Sequence, residues 1–383
     1  MITVSGVVVA AVAVLLIAAG TALDYPELLA GGLAAAAALV LAGLWMLLTP
    51  DVEIRREIQP SRVGEGDEAH GLLVVANSSR RGCPPMTASE TIGRDQVSVT
   101  LPALAPGARF EAAYPLPTAR RGVFTVGPLT VGHSDPLRLM SNRHSFPSRS
   151  VLRVHPRIHP VVTIPTGGSP DTDGQTSATA AQGGVAFHSL RDYVRGDDLR
   201  LVHWRSTART GRLMVRHNVV PREPRMLIVL DTSAGPYRED GFEEAVRVAA
   251  SLAAAGQRRG FPVELATTGG ERVLLESGRA GGPAPLLDLL AGIDVDPDDP
   301  GLRALPGLVP QLEGVALGVV TGQPGAEQLA VVSGVRPRFA MVSLIHVAGA
   351  DVAPAAPARG IFVVTVPTSV DFARVWNSRL GRR

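Results

Sequence analysis

Two stretches near the N-terminus constrain this chain more than anything else in it. Val4 to Leu23 holds no charged residue, and Leu28 to Pro50 is a second uncharged, apolar run. About 20 apolar residues in a helix cross the hydrocarbon core of a bilayer, so each run is long enough to span. Asp24-Tyr25-Pro26-Glu27 separates them and suits a tight turn, with Tyr25 and Trp45 near run ends, where aromatic belts form. The competing reading is a cleaved signal peptide ending near Ala22. It is weakened because Met1 to Ser5 carries no basic residue and a second span follows at once. The turn holds no Arg, whereas Arg55, Arg56 and Arg62 lie just past the second run. The positive-inside rule therefore predicts a two-helix hairpin in the cell membrane, with the bulk of the chain in the cytoplasm.

The 383 residues suit two or three domains, each able to bury its own core. Apolar content of 45% excludes a disordered chain, and the 41 Gly show no period of three, which excludes collagen. The single Cys83 excludes a disulfide framework and any Cys-based zinc finger. All 37 basic side chains are Arg. That reads first as compositional bias and second as a preference for forked anion contacts. A net charge of +2 gives no ground for a nucleic-acid partner.

Five segments follow from the patterning: a transmembrane hairpin over 1–50, a β-sandwich over 51–160, a flexible linker over 161–186, an Arg-rich segment over 187–222, and an α/β domain over 223–383. In the second, short alternating pieces such as Val52, Ile54 and Ile58 or Leu72, Val74 and Ala76 are separated by Gly/Pro-rich turns. Pro165 to Gly184 is small and polar and cannot bury enough surface to offset its ordering entropy. In the last segment, the continuous apolar run Met226 to Leu230 reads as a buried parallel strand ending at Asp231, and Phe242 to Arg259 as a helix. Further strands and helices alternate from Val263 to Leu380, which predicts a mainly parallel, doubly wound sheet. Ligands of such sheets bind at the carboxyl ends of the strands, where Asp231 sits.

The densest information lies in Phe187 to Val219. Eight Arg fall between Arg191 and Arg222, against Asp192, Asp197, Asp198 and the adjoining Glu223. Asp197 is placed to cap a short helix over Asp198 to Arg209, with Leu199, Val202 and Ser206 on one stripe and Thr210-Gly211 ending it. One reading is an internally paired structural segment; the other is a docking face for an acidic partner, since Arg offers two parallel donors to a carboxylate.

Arg191, Tyr193, Gly196, Asp197, Arg200, Trp204, Arg205, Thr207, Ala208 and Arg209 form a pattern that resembles the bacterial domain-of-unknown-function family fifty-eight. Arg121-Gly122, Gly127-Pro128-Leu129 and Asp135-Pro136-Leu137 are similar to that family's strand-turn pattern. Arg195 departs from it, standing where many members have Pro. The resemblance implies a von Willebrand factor A-like α/β domain and a partner of the MoxR-type AAA+ ATPase class or its client. It also implies an accessory role in protein maturation or complex assembly rather than a defined reaction.

Asp231-Thr232-Ser233-Ala234-Gly235 tests the A-like reading. The metal site of such domains uses Asp-x-Ser-x-Ser, whose oxygens suit Mg²⁺. Asp231 and Ser233 match, but Gly235 removes one ligand, and the strand Val315 to Val320 leads to Thr321-Gly322-Gln323 rather than to a carboxylate. So incomplete a shell predicts weak Mg²⁺ binding at most; otherwise Asp231 and Ser233 cap the following loop. Elsewhere, Pro156 and Pro160 deny His155 and His159 the helix a zinc pair needs, and no nucleophile has a recognisable base. The expectation is a membrane-anchored, non-enzymatic scaffold without a cofactor. The alternative is a Mg²⁺-dependent ligand receptor using Asp231 and Ser233.

Overall fold

The computed structural model describes residues 2–47, 52–165, 186–194, 201–219, 225–277, 282–309, 315–349 and 360–381. It divides into two compact units, Met1–Arg157 and Ile158–Arg383.

The first unit opens with helices α1 (Val4–Leu23) and α2 (Pro26–Met46), each long and apolar enough to cross a membrane. Thr3 caps α1 by accepting from the Gly6 amide at 3.0 Å, and Asp24 ends it in the left-handed region. Pro26 then starts α2, where its missing N–H costs nothing. The packing is inverted relative to a water-soluble helix pair. Only Gly6, Ala13 and Gly20 of α1 and Gly32 and Ala42 of α2 are buried, while Val14, Leu15, Leu41 and Leu44 face outward. Small residues let the backbones approach closely, as in membrane helix pairs. A Cβ on Gly20 would stand 2.6 Å from the Leu29 nitrogen.

Nine strands follow: β1 (Val52–Gln59), β2 (Arg62–Gly64), β3 (His70–Asn77), β4 (Met86–Ile92), β5 (Asp95–Leu101), β6 (Arg109–Pro115), β7 (Gly122–Ser134), β8 (Ser141–Phe146) and β9 (Ser150–His155). They form a sheet β1-β3-β6 and a second, β2-β9-β7-β4-β5, with β8 on β7. Alternation sends Leu73 and Val75 of the first sheet and Ala88, Val131 and Leu152 of the second into one core. Within it Glu90 accepts from Tyr114 of β6 and from Arg56 of β1, so one buried carboxylate joins both sheets. Arg56, counted in the sequence among the charges flanking the second apolar run, is thus a buried structural cation in the folded unit. Cys83 is also buried, which raises its thiol pKa.

The second unit contains β10 (Ala186–Asp192), α3 (Trp204–Thr210), β11 (Met214–Val219), β12 (Arg225–Leu230), α4 (Gly241–Arg258), β13 (Val263–Thr267), β14 (Arg272–Leu275), α5 (Ala284–Gly292), α6 (Leu305–Leu308), β15 (Val315–Thr321), α7 (Ala326–Val335), β16 (Met341–Val347), β17 (Ile361–Val366) and α8 (Ser369–Leu380). The sheet order is β14-β13-β12-β15-β16-β17; β14 runs antiparallel to β13, and all other neighbours are parallel. Met226, Ile228 and Leu230 pack with residues of α4, α5 and α8 on one face. Leu227 and Val229 pack with Leu305, Val332 and Val335 on the other. Burial on both faces explains why the β12 run shows no alternation.

Two expectations are corrected here. Val161 and Ile164, placed in the linker, belong to the α/β core, where the Trp376 indole donates to the Val162 carbonyl at 2.8 Å. The greater part of that linker, 166–185, lies outside the described residues. The expected helix over Asp198 to Arg209 is not continuous: Val202 is taken up in a bridge to Val215 of β11 and α3 begins at Trp204, while 198–200 lie outside the described residues. The first turn of α3 is capped by the His203 imidazole, which accepts from the Ser206 amide at 3.2 Å.

Candidate functional site

A row of polar residues crosses the carboxyl edge of the parallel strands at one common level. Thr321, His346 and Thr365 lie side by side in register at the ends of β15, β16 and β17. Asp231 and Thr268 continue the line past β12 and β13, held by Asp231 N–H to Val320 O at 2.9 Å and Thr268 N–H to Leu230 O at 3.0 Å. Strand alternation puts the row on the face that carries Leu227, Val229, Leu317 and Leu344. This is the carboxyl edge of the parallel strands, where ligands of doubly wound sheets usually bind, but here Asp231, Thr268, Thr321 and His346 are buried.

The row becomes a site because two carboxylates meet four hydroxyls there. Asp231 Oδ1 accepts from the Ser233 hydroxyl at 2.6 Å and its amide at 3.1 Å; Oδ2 accepts from Thr321 at 2.7 Å. Asp299 Oδ2 accepts from Thr232 at 2.5 Å and Thr268 at 2.6 Å, and its Oδ1 from the Gly301 amide at 2.8 Å. Every carboxylate oxygen therefore has a proton donor, two hydroxyls serving each acid. Burial raises the Asp231 pKa; the Ser233 and Thr321 hydrogen bonds oppose that, and the Asp299 charge adds to it. The Tyr237 hydroxyl donates to the Asp231 carbonyl at 2.6 Å, and burial, then the two carboxylates, push its pKa well up.

The loop after β12 folds back on β15 because Gly322 has no side chain. A Cβ there would stand 2.2 Å from the Pro236 carbonyl oxygen, to which the Gln323 amide donates at 2.7 Å. At the far end of the row, buried His346 faces Thr365 through Nδ1 at 3.3 Å, while its Nε2 has no hydrogen-bond partner. Burial lowers its pKa.

The sequence pointed to Asp231 and Ser233, and the structure brings them together. It missed Asp299, Thr232, Thr268, Thr321 as a donor, and His346. The signal for Asp299 was Asp296-Pro297-Asp298-Asp299-Pro300, an acidic turn whose Asp296 amide bonds the Thr232 carbonyl at 2.9 Å. A metal would draw on Asp231, Ser233 and Asp299, with Thr321 standing where a third acid was sought. Among the described residues no group of three His, Cys, Asp or Glu side chains converges.

The signature residues gather elsewhere, around β11. The Tyr193 amide donates to Leu213 O and the His203 amide to Met214 O, each at 2.8 Å, and Thr207 Oγ1 accepts from the Met214 amide at 3.0 Å. Arg191 lies in β10 opposite Val215. These bonds hold α3 with its outer side bare: Trp204 is 69% exposed, and Arg205 and Arg209 are exposed without a carboxylate partner among the described residues. Arg212 and Asp192 approach at 3.8 Å in the open. Gly196, Asp197 and Arg200 lie outside the described residues.

Residues 189–302 match the profile of the family described as protein of unknown function DUF58, the family that the Arg191 to Arg209 pattern resembles. The matched span runs from the signature segment through Asp231 to the Asp299 turn. No curated protein matches the chain. Among solved structures, it is similar to the CARDB domain of a Pyrococcus furiosus protein at 15% identity and a TM-score of 0.21, covering 27% of this chain and 91% of that one. It is also similar to a β-glucosidase of Erythrobacter marinus at 14% identity and a TM-score of 0.18, covering 25% of this chain and 15% of that one. The alkylpurine DNA glycosylase AlkC of Pseudomonas fluorescens is similar at 16% identity and a TM-score of 0.18, covering 33% and 40%. Similarities of this size carry no argument about fold or activity.

Proposed function

We propose that this chain is a membrane-anchored, non-enzymatic scaffold that binds a protein partner through the outer side of α3. The partner class is a MoxR-type AAA+ ATPase or its client, in protein maturation or complex assembly. The observation that carries the reading is Trp204. A structural tryptophan is normally buried, whereas this one stands 69% exposed beside Arg205 and Arg209, which have no carboxylate partner among the described residues. Trp and Arg are the residues most enriched at the energetic centres of protein interfaces.

The helical hairpin supplies the anchor, with its large apolar side chains outward and its small ones inward. In this reading the two-sheet unit is a β-sandwich on the cytoplasmic side. The α/β unit is a von Willebrand factor A-like domain, supported by its sheet order with one antiparallel edge strand and by Asp231-Thr232-Ser233 after the central strand. The test is purification of the full chain from its membrane in mild detergent, with identification of what co-elutes. Trp204→Ala should lose the partner while leaving the chain folded.

A second reading, a Mg²⁺-dependent ligand receptor at Asp231 and Ser233, is favoured by Asp299, which brings the site a second carboxylate. Against it, all four carboxylate oxygens already accept protons from hydroxyls or amides, so a cation must displace donors as well as water. Calorimetric titration with millimolar Mg²⁺ separates the readings: heat abolished by Asp231→Asn supports the receptor, and no heat removes it.

A further inference from the structure

An open groove of about 890 Å³ lies within the first unit, where the helical hairpin meets the two-sheet body. Its floor is hydroxyl-rich, with Thr87, Ser89, Ser98 and Thr130 on strand positions that alternate with the apolar core. Its other lining includes Trp45 from the last turn of α2, Arg138 from the β7–β8 turn and Arg143 from β8.

The turn is fastened to the start of α1. The Thr3 amide and hydroxyl both donate to the Leu139 carbonyl at 2.9 Å, the hydroxyl also reaches Arg138 O at 2.8 Å, and Ile2 pairs with Met140. Asp135 shapes the turn by accepting from Leu137 N at 2.9 Å and Met140 N at 2.6 Å. The groove therefore sits where the first helix begins and the second ends. For a membrane hairpin that is the level of the lipid headgroups, where Trp is favoured.

Its charge is one-sided. Asp135 is the one acid among the described lining residues, and both its oxygens are occupied by backbone amides. Arg138 and Arg143 have no carboxylate partner among the described residues. His133 lines the groove while only 5% exposed, and its Nε2 makes no hydrogen bond.

We propose that this groove binds the phosphate-bearing headgroup of an anionic phospholipid at the surface of the bilayer that the hairpin spans. Arg138 and Arg143 meet the phosphate, and the Ser and Thr hydroxyls bond the glycerol or ester oxygens. The proposal rests on the hairpin being a membrane anchor. It goes beyond the scaffold reading by giving the two-sheet body a lipid preference. Anionic lipids of the cytoplasmic leaflet attract basic residues at this depth.

The test uses the full chain in nanodiscs of phosphatidylcholine with a minor fraction of phosphatidylglycerol, extracted gently and weighed intact by native mass spectrometry. The chain should retain phosphatidylglycerol in preference to phosphatidylcholine. Arg138→Gln or Arg143→Gln should each cut that preference about fivefold, and the double variant about thirtyfold. Both side chains are exposed, so circular dichroism should show an unchanged fold. Equal retention of the two lipids, or an unchanged preference in the double variant, overturns the proposal. Displacement of the lipid by millimolar inorganic phosphate also overturns it, in favour of a free-anion site. A chain that does not enter nanodiscs removes the anchor and the proposal together, whereas entry without lipid selectivity removes the groove alone.

Discussion

The Asp231 carboxylate and the Thr321 hydroxyl meet at 2.7 Å across neighbouring parallel strands, and both residues are fully buried. No water reaches Asp231 to replace that donor. Thr321→Val keeps the shape and removes the proton, leaving Asp231 Oδ2 unsatisfied. The expected loss is about 1–3 kcal/mol of stability. Urea unfolding followed through the near-ultraviolet signal of buried Trp376 measures it, and an unchanged midpoint would show that the pair is not formed.

His346 gives the α/β unit an acid-sensitive edge. Burial holds its pKa below the ordinary 6.5, so the folded state takes up fewer protons than the unfolded chain as the pH falls. The stability contributed by the neutral imidazole is therefore present above about pH 6.5 and is lost as the pH falls through the folded value. His346→Gln should flatten the decline of unfolding free energy between pH 7.5 and 5 relative to the parent. Parallel curves would contradict this.

Arg56, Glu90 and Tyr114 form the polar bridge through the core of the first unit. Glu90→Leu leaves the Arg56 guanidinium buried and uncompensated and should cost about 3–5 kcal/mol. The double variant Arg56→Met with Glu90→Leu should recover most of that loss, since an apolar pair of similar volume needs no desolvation. Chemical denaturation of the four combinations gives the coupling directly. Additive losses would mean that the charges do not sense each other.

Gly322 decides whether the Asp231 loop can close on β15. The Cβ of Gly322→Ala would collide with the Pro236 carbonyl, which is backbone and cannot swing away. Amide hydrogen exchange should accelerate over 231–237 and at Gln323 while β16 and β17 stay protected. Uniform protection across the sheet would sink this account of the loop.

The fold was largely legible where burial leaves a periodic trace. The uncharged runs that form α1 and α2, the continuous β12 run and the helix after Phe242 all carried their structure in local patterning. The candidate site was legible only in part, because its members come from five loops and strand ends. Asp231 and Ser233 are neighbours in sequence, whereas Asp299 reaches the site through an acidic turn 67 residues beyond the Thr232 it bonds. The helix start at Trp204 was hidden for a similar reason: Val202 pairs with Val215, and a long-range bridge leaves no mark on helical periodicity. Arg56 looked like a flanking charge because nothing local announces Glu90 as its partner.

The central claim is that α3 presents Trp204, Arg205 and Arg209 to a protein partner at the membrane. The most direct measurement is quantitative co-purification of the full chain from its own membranes, comparing the parent with Trp204→Ala and with Arg205→Gln/Arg209→Gln. One discrete partner should be retained by the parent and lost from both variants, with the thermal unfolding of the chain unchanged. Retention of the same partner by both variants, or the absence of any specific partner from the parent, would contradict it.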